Sequence, residues 1–397
     1  MSTQDFATSE TLALDGLTIL DSGVTLVPTS RGVNTSLRTT VLPRVEIVGE
    51  TPSVVVADGK VRYELANRLG EGGVGEVIKA RDNDIERDVA IKRLRPEMRA
   101  SNAHLLRFAE EVRTVGRLEH PNIVPIHDVG VHENGEYFFV MKYVEGETIE
   151  NIIEKLAAGD RAYHARYPFE RRVEIFMGML EAIAYAHAKG IIHRDIKPAN
   201  VMVGPYGEVM MMDWGLARTT TRGPELGGLG GGGVMGTPAY MSPEQARGDE
   251  MDERTDVYSL CVTFFELLTL HHPHEKVLTL NEMLEAVKHT PAPSVLGVPV
   301  QADQGTVPID LGWFLEKGLR KDPAARYQTV GEMVDRLRRR AEGDIPVQCM
   351  VTFSMQASTM LRKALARHPL FVSGAFLTGT VATIGFAALG VAHMFMR

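Results

Sequence analysis

At 397 residues the chain is long enough for two to three compact units, each with a real apolar core. Its formal net charge of -8 argues against a nucleic-acid binder, which would carry a basic surplus. The two cysteines, Cys261 and Cys349, are far apart; they make no disulfide framework and no zinc spacing, so a reducing compartment is expected.

The N-terminus, MSTQDFATSE, has no basic or apolar leader region, so no secretory signal peptide is expected. Residues 1–58 are rich in Ser and Thr, poor in aromatics and without a sustained period. They read as a mostly disordered tail, either inert or open to phosphorylation in stretches such as SLRTTVLPRV. From Tyr63 the pattern turns to short β-type runs, YELANRLG, GEVIKARD and DVAIKRL, between Gly and Asn/Asp breaks. HLLRFAEEVRTVGRLE reads as a helix and YFFVMKYV as one more strand. After Gly146 the chain is mostly helical, for example RRVEIFMGMLEAIAYAHAKG and DVYSLCVTFFELLTL, with VGEMVDRLRRRAEG as a closing helix. Strands first and helices second, without βαβ alternation, predict an α+β protein of two unequal lobes.

Two stretches carry G-x-G-x-x-G, at Gly70, Gly72 and Gly75 and again at Gly231, Gly233 and Gly236. The second is flanked by more glycine, with no strand leading in, and reads as a flexible loop. The first lies between two strand patterns, where glycine would let backbone approach phosphate oxygens. The next strand leads to VAIK, whose Lys92 could reach those phosphates; on this pair alone, a solvated strand lysine is as good a reading.

Further on, IIHRDIKPANVMV holds Asp195, Lys197 and Asn200 in one short loop, and MMMDWGLAR brings Asp213. A polar surface loop followed by a turn would be the bland reading. Phosphoryl transfer accounts for the set better: it needs a carboxylate near the attacking hydroxyl, oxygen ligands for Mg²⁺, and cations along the phosphates.

Glycine loop, VAIK, HRDIKPAN and DWG stand in the order and context of the eukaryotic-like (Hanks-type) protein serine/threonine kinases of bacteria, which residues 63–340 resemble. The resemblance implies an α+β, bilobal protein kinase fold with an N-lobe over 63–143 and a C-lobe over 147–340. It implies transfer of the γ-phosphate of ATP to Ser/Thr hydroxyls of protein substrates, the kinase itself included, with ATP and Mg²⁺ as cofactors. Lys92 would contact the α/β-phosphates and pair with a helix-C glutamate; of Glu110 and Glu111 the family pattern favours Glu111. Asp195 would orient the substrate hydroxyl and accept its proton, and Lys197 would touch the γ-phosphate. Asn200 and Asp213 would hold Mg²⁺. The nucleotide set would be Leu69, Gly70, Gly72, Gly75, Val77, Ala90, Lys92, Met141, Val144 and Met202, with Met141 as gatekeeper and Lys142 and Val144 offering hinge backbone groups. GTPAYMSPEQ resembles the end of an activation segment, in which Thr237 would help position the catalytic loop and Glu244 would pair with Arg326. Asp256 would anchor the catalytic-loop backbone.

Some positions depart from the family pattern. Trp214 replaces the usual Phe after the metal aspartate and brings an N–H that needs a partner. Lys142 stands where Glu is frequent, Ser242 replaces Ala, and Cys261 sits where Gly is common. Between Asp213 and Gly236 the only hydroxyls are those of Thr219, Thr220 and Thr221, so activation is expected to rest less on a late-loop phosphate and more on membrane-driven pairing.

Residues 341–368 read as a juxtamembrane linker of undefined structure. From Leu370 to Met396 no Asp, Glu, Lys or Arg occurs, longer than the roughly 20 residues that cross a bilayer core. The alternative is a buried core helix. Residues 370–396 are expected to form a single transmembrane helix. Arg362, Lys363 and Arg367 precede the run, which places the kinase domain on the cytoplasmic side of the cell membrane. Ala375, Gly379, Thr383 and Ala387 recur every four residues, a face on which a homodimer could pack, the kinase domain being the other candidate for pairing. Two other classes compete with a membrane-anchored kinase: a pseudokinase scaffold that binds nucleotide without turnover, and a kinase-fold enzyme acting on a small molecule. Every expected catalytic position is filled, against the first. GTPAYMSPEQ, which resembles a protein-substrate docking loop, argues against the second.

Overall fold

The computed structural model describes residues 61–71, 75–95, 98, 102–132, 136–219, 237–277, 279–299 and 303–367, together with the backbone of short strands between residues 12 and 55. Those strands differ from the tail expected over 1–58. β1 (Leu12–Leu14), β2 (Leu17–Ile19) and β3 (Val27–Pro28) pair in order, and β4 (Arg44–Val48) pairs antiparallel with β5 (Thr51–Val55). RVEIV does alternate, but over five residues, too short a run to stand out from its Ser/Thr-rich surroundings. The rest of 1–58 lies outside the described residues.

The chain forms two compact units, residues 1–100 with 127–143, and residues 101–126 with 144–397. The first is built on a five-stranded sheet of β6 (Tyr63–Glu71), β7 (Gly75–Asp82), β8 (Arg87–Leu94), β9 (Ile126–Val131) and β10 (Tyr137–Lys142), in the order β6-β7-β8-β10-β9. β9, whose IHDVGV run is broken by His, Asp and Gly, is a strand that the hydropathy pattern does not announce. Side chains alternate across a strand, so Ala80, Val89, Ile91, Phe138 and Val140 share one face and form a small core with Tyr63. Val77, Ala90 and Lys92 therefore share the opposite face.

The second unit is mainly helical. Its helices are α1 (Asn102–Val115), α2 (Ile149–Ala157), α3 (Arg161–Arg166), α4 (Phe169–Ala188), α5 (Pro243–Arg247), α6 (Glu253–Thr269), α7 (Leu280–His289), α8 (Ile309–Gly318), α9 (Val330–Ala341) and α10 (Met350–Arg367). Short strands β11 (Glu147–Thr148), β12 (Ile191–Ile192), β13 (Val201–Val203), β14 (Val209–Met211) and β15 (Arg218–Thr219) lie between them, ordered β11-β13-β14 and β12-β15.

α6 is the axis of this unit. It buries nearly all of its side chains, which is why its sequence is apolar without a clean stripe. Phe264 of α6 stacks on Phe176 of α4 at 4.0 Å between ring centroids, and Phe314 of α8 meets both edge-on at 6.1 and 6.2 Å. α9 is plainly amphipathic: Val330, Met333, Val334 and Leu337 are buried at i, i+3, i+4 and i+7. It is not the closing helix. α10 follows, in the segment for which the sequence defines no structure. Thr352 in its first turn accepts from the backbone N–H groups of Gln348 and Cys349 at 2.8 and 2.9 Å. Among the described residues no helix is long and apolar enough to cross a membrane, and 370–396 lies outside them.

Candidate active site

In the first unit the residues expected at nucleotide fall into register. Gly70 faces Val77, Val77 faces Lys92, and Lys92 faces Phe139 across four neighbouring strands. One step along, Ala90 faces Met141. The result is a continuous patch on the sheet face opposite the small core. β6 runs on through Gly70 to Glu71, so the first glycine sits in the strand rather than beyond it. A Cβ at Gly75 would lie 2.7 Å from the Arg93 carbonyl oxygen, so only glycine fits there; a Cβ at Gly70 would meet nothing within 4 Å. Leu69 is exposed and Gly72 lies outside the described residues. The Lys92 ammonium sits 6.0 Å from the Phe139 ring centroid.

The second unit carries the catalytic-loop set. β12 leads into it, Arg194 takes a left-handed φ of 67°, and a 3₁₀ turn over Pro198–Asn200 leads to β13. Lys197 Nζ lies 3.0 Å from the Asp195 carboxylate and donates to Thr237 Oγ1 at 2.7 Å. The Thr237 backbone N–H donates to Asp195 Oδ1 at 3.2 Å. The Asn200 amide nitrogen donates to the Asp195 carbonyl at 2.9 Å and to its Oδ2 at 3.2 Å. Three groups, from Lys197 to Thr237, thus converge on one carboxylate. Since the Asn200 amide nitrogen is spent on Asp195, its Oδ1 is the atom left for a hard cation.

Beneath the loop sits Asp256, fully buried on α6. It accepts from the backbone N–H groups of His193 at 2.8 Å and Arg194 at 2.9 Å, and from His187 Nε2 at 2.8 Å. Burial alone would raise this carboxyl, but the His187 hydrogen bond, the nearby imidazoles and the backbone donors together hold it below the ordinary Asp value. This clamp holds the strained turn at Arg194. The Arg194 side chain donates Nε to the Leu216 carbonyl at 2.7 Å, and Gln245 Nε2 donates to the Arg194 carbonyl at 2.8 Å.

Asp213 is exposed, with a left-handed φ of 54°. A Cβ at Gly215 would lie 3.3 Å from both Asp213 Oδ1 and Glu111 Oε2, so the Glu111 carboxylate, buried on α1, stands beside this loop. Trp214 is buried with its ring 4.4 Å from that of His193. Its indole N–H finds no acceptor among the described residues, contrary to the partner that its chemistry led one to expect. Burial, the largest effect on it, holds His193 below the ordinary imidazole value. Val144 is buried and Met202 half-buried on β13, opposite Thr148.

After residues 220–236, which hold Thr220, Thr221 and the second glycine run and lie outside the described residues, the chain is firmly tied. Ser242 and Gln245 form a capping box on α5. Glu244 and Arg326, both buried, pair through two bonds of 2.7 and 2.8 Å, and Thr255 Oγ1 adds a third donor to Glu244 at 3.0 Å. Burial would raise Glu244, yet the guanidinium holds it below the usual carboxylate value. Cys261 on α6 packs against Gly318 of α8, where a Cβ would collide with its sulfur.

The protein kinase domain family matches residues 63–336. The serine/threonine-protein kinase PknB of Mycobacterium leprae is 36% identical over 303 residues, covering 76% of this chain and 46% of that protein. PknB of Mycobacterium tuberculosis is 35% identical over 309 residues, with the same shares. The serine/threonine-protein kinase PknD of Protochlamydia amoebophila is 34% identical over 300 residues, covering 71% of this chain and 30% of that protein. The chain spans about half the length, or less, of the curated relatives it matches. With the family matched over most of its length and the catalytic-loop residues drawn together around Asp195, the chain belongs to the protein kinase domain family, in its eukaryotic-like (Hanks-type) bacterial branch.

Proposed function

We propose that this protein is an ATP- and Mg²⁺-dependent protein serine/threonine kinase, anchored to the cytoplasmic face of the cell membrane by residues 370–396. The observation that carries the reading is the convergence of Lys197, Asn200 and the Thr237 N–H on the Asp195 carboxylate. A carboxylate held from three sides can meet a substrate hydroxyl without first reorganising. Asp195 orients that hydroxyl and takes its proton as the oxygen attacks phosphorus. Lys197, already within reach of Asp195 and Thr237, neutralises charge on the transferred group. Lys92 offers its ammonium from the sheet face shared with Val77 and Ala90.

The residues present fit the nucleotide and metal: Gly70 leaves open space, Asn200 keeps an amide oxygen free for a cation, and Asp213 supplies an exposed carboxylate. One carboxylate and one amide are a normal protein share for Mg²⁺, which takes its other ligands from phosphate and water. When bound, the Mg–nucleotide supplies the γ-phosphoryl group and spreads its negative charge. The relatives' names give serine/threonine-protein kinases, which supports protein hydroxyls as acceptors.

The chain in lipid discs, given ATP and Mg²⁺, is expected to phosphorylate itself and a generic basic protein, and Asp195→Asn is expected to lower both by about 10²-fold or more. No transfer by either, with nucleotide binding intact, would favour a scaffold.

A further inference from the structure

α10 faces the wrong way for a helix that ends a soluble domain. The side chains it turns inward, Thr352, Met355, Gln356 and Thr359, recur at i, i+3, i+4 and i+7 and are mostly polar. Those it shows to solvent include Met350 at 81 % exposure, Phe353 at 54 %, Ala357, and Met360 at 60 %. Their spacing of three, four and three residues lines them up as one stripe. Charge is segregated as well. In a chain of net charge -8, no Asp or Glu occurs from Ile345 to Arg397, whereas Arg362 and Lys363 stand exposed on α10 and Arg367 ends it. His368 and Pro369 come next in the sequence, and then the uncharged run 370–396.

We propose that the stripe of Met350, Phe353, Ala357 and Met360 lies on the anionic lipid surface of the membrane, with Lys363 and Arg367, the basic positions nearer the stripe round the helix, among the headgroups. This rests on the reading of 370–396 as a membrane span. If that run crosses the bilayer, the end of α10 is within a few residues of the headgroups. A proline at 369 disfavours one straight helix running from α10 into the span, which suits an α10 that lies along the surface. An apolar stripe beside basic, acid-free sequence is the composition that binds such a surface. A second copy of α10 fits less well. A parallel pair would bring Lys363 and Arg367 of both chains close to the seam with no acidic side chain on the helix to offset them, over a seam only about 15 Å long.

The test uses the full chain with Cys349→Ser, Cys261 being fully buried. Ala357→Cys places a fluorescent label on the stripe, and Ser358→Cys places one about 100° round the helix. Each protein is put in discs containing spin-labelled lipid, with or without phosphatidylglycerol. The expected result is quenching at 357 several-fold above that at 358 in anionic discs. It should fall towards the 358 value in neutral discs or with Lys363→Glu and Arg367→Glu. Equal, weak quenching at both positions while the protein stays in the discs overturns the proposal and leaves the span standing. A 357 label shielded by self-crosslinking rather than by lipid overturns it in favour of a second copy. Protein that leaves the discs altogether overturns the span and the proposal with it.

Discussion

Asp195 shows how one side chain becomes a candidate base. Its neighbours hold it by geometry, so removing its charge should act on chemistry more than on folding. Asp195→Asn is expected to lower kcat by about 10²–10⁴-fold with little change in nucleotide affinity or Tm, read by steady-state kinetics and thermal unfolding. His274 makes a different prediction. Burial, then the Lys321 ammonium and His272, push it down to about 4. In the unfolded chain it takes its proton near 6.5, so between those values the unfolded state binds more protons and stability rises with pH. Urea unfolding from pH 4 to 6.5 should therefore show a slope that His274→Leu flattens, by up to about 3 kcal/mol across the window. An unchanged slope would mean that His274 does not stay neutral in the fold.

At the scale of elements, the contacts are complementary in ways that single positions hide. Cys261 stands where this family often has Gly, and the reason lies on another helix: Gly318 leaves the room its sulfur fills. Gly318→Ala should cost about 1–3 kcal/mol by overpacking. In a Cys261→Ala background the same change should cost clearly less, a coupling that a double-mutant cycle reads directly. The buried Glu244–Arg326 pair joins α5 to the turn before α9. Glu244→Gln leaves a buried guanidinium without its counter-charge and should destabilise by about 3–5 kcal/mol in denaturant titration.

For the whole molecule, the question is where it sits. The full chain should stay with the membrane fraction through high-salt washing, and a chain ending at Arg367 should be released, although α10 would retain a weaker, salt-sensitive affinity for anionic vesicles. A full chain released by salt would argue against a span.

Much of the candidate site was legible in the sequence because phosphoryl transfer, the chemistry proposed, demands particular residue types: Asp195, Lys197, Asn200 and Asp213 stand within two short stretches. Most of the strand and helix order, and the approximate reach of α4, α6 and α9, followed from runs of apolar and polar residues, which are local. β4 and β5, β9 and α10 did not follow, since short strands take their stability from pairing partners and α10 puts its polar side inward. The sequence by itself determined the family, the candidate residues for its chemistry and most of the order of elements. The tertiary structure alone decided which distant groups close on Asp195, that among the described residues the Trp214 N–H is left without an acceptor, and that α10 shows its apolar stripe outward. Those are outcomes of packing, in which residues tens of positions apart compete for the same space and the same hydrogen bonds.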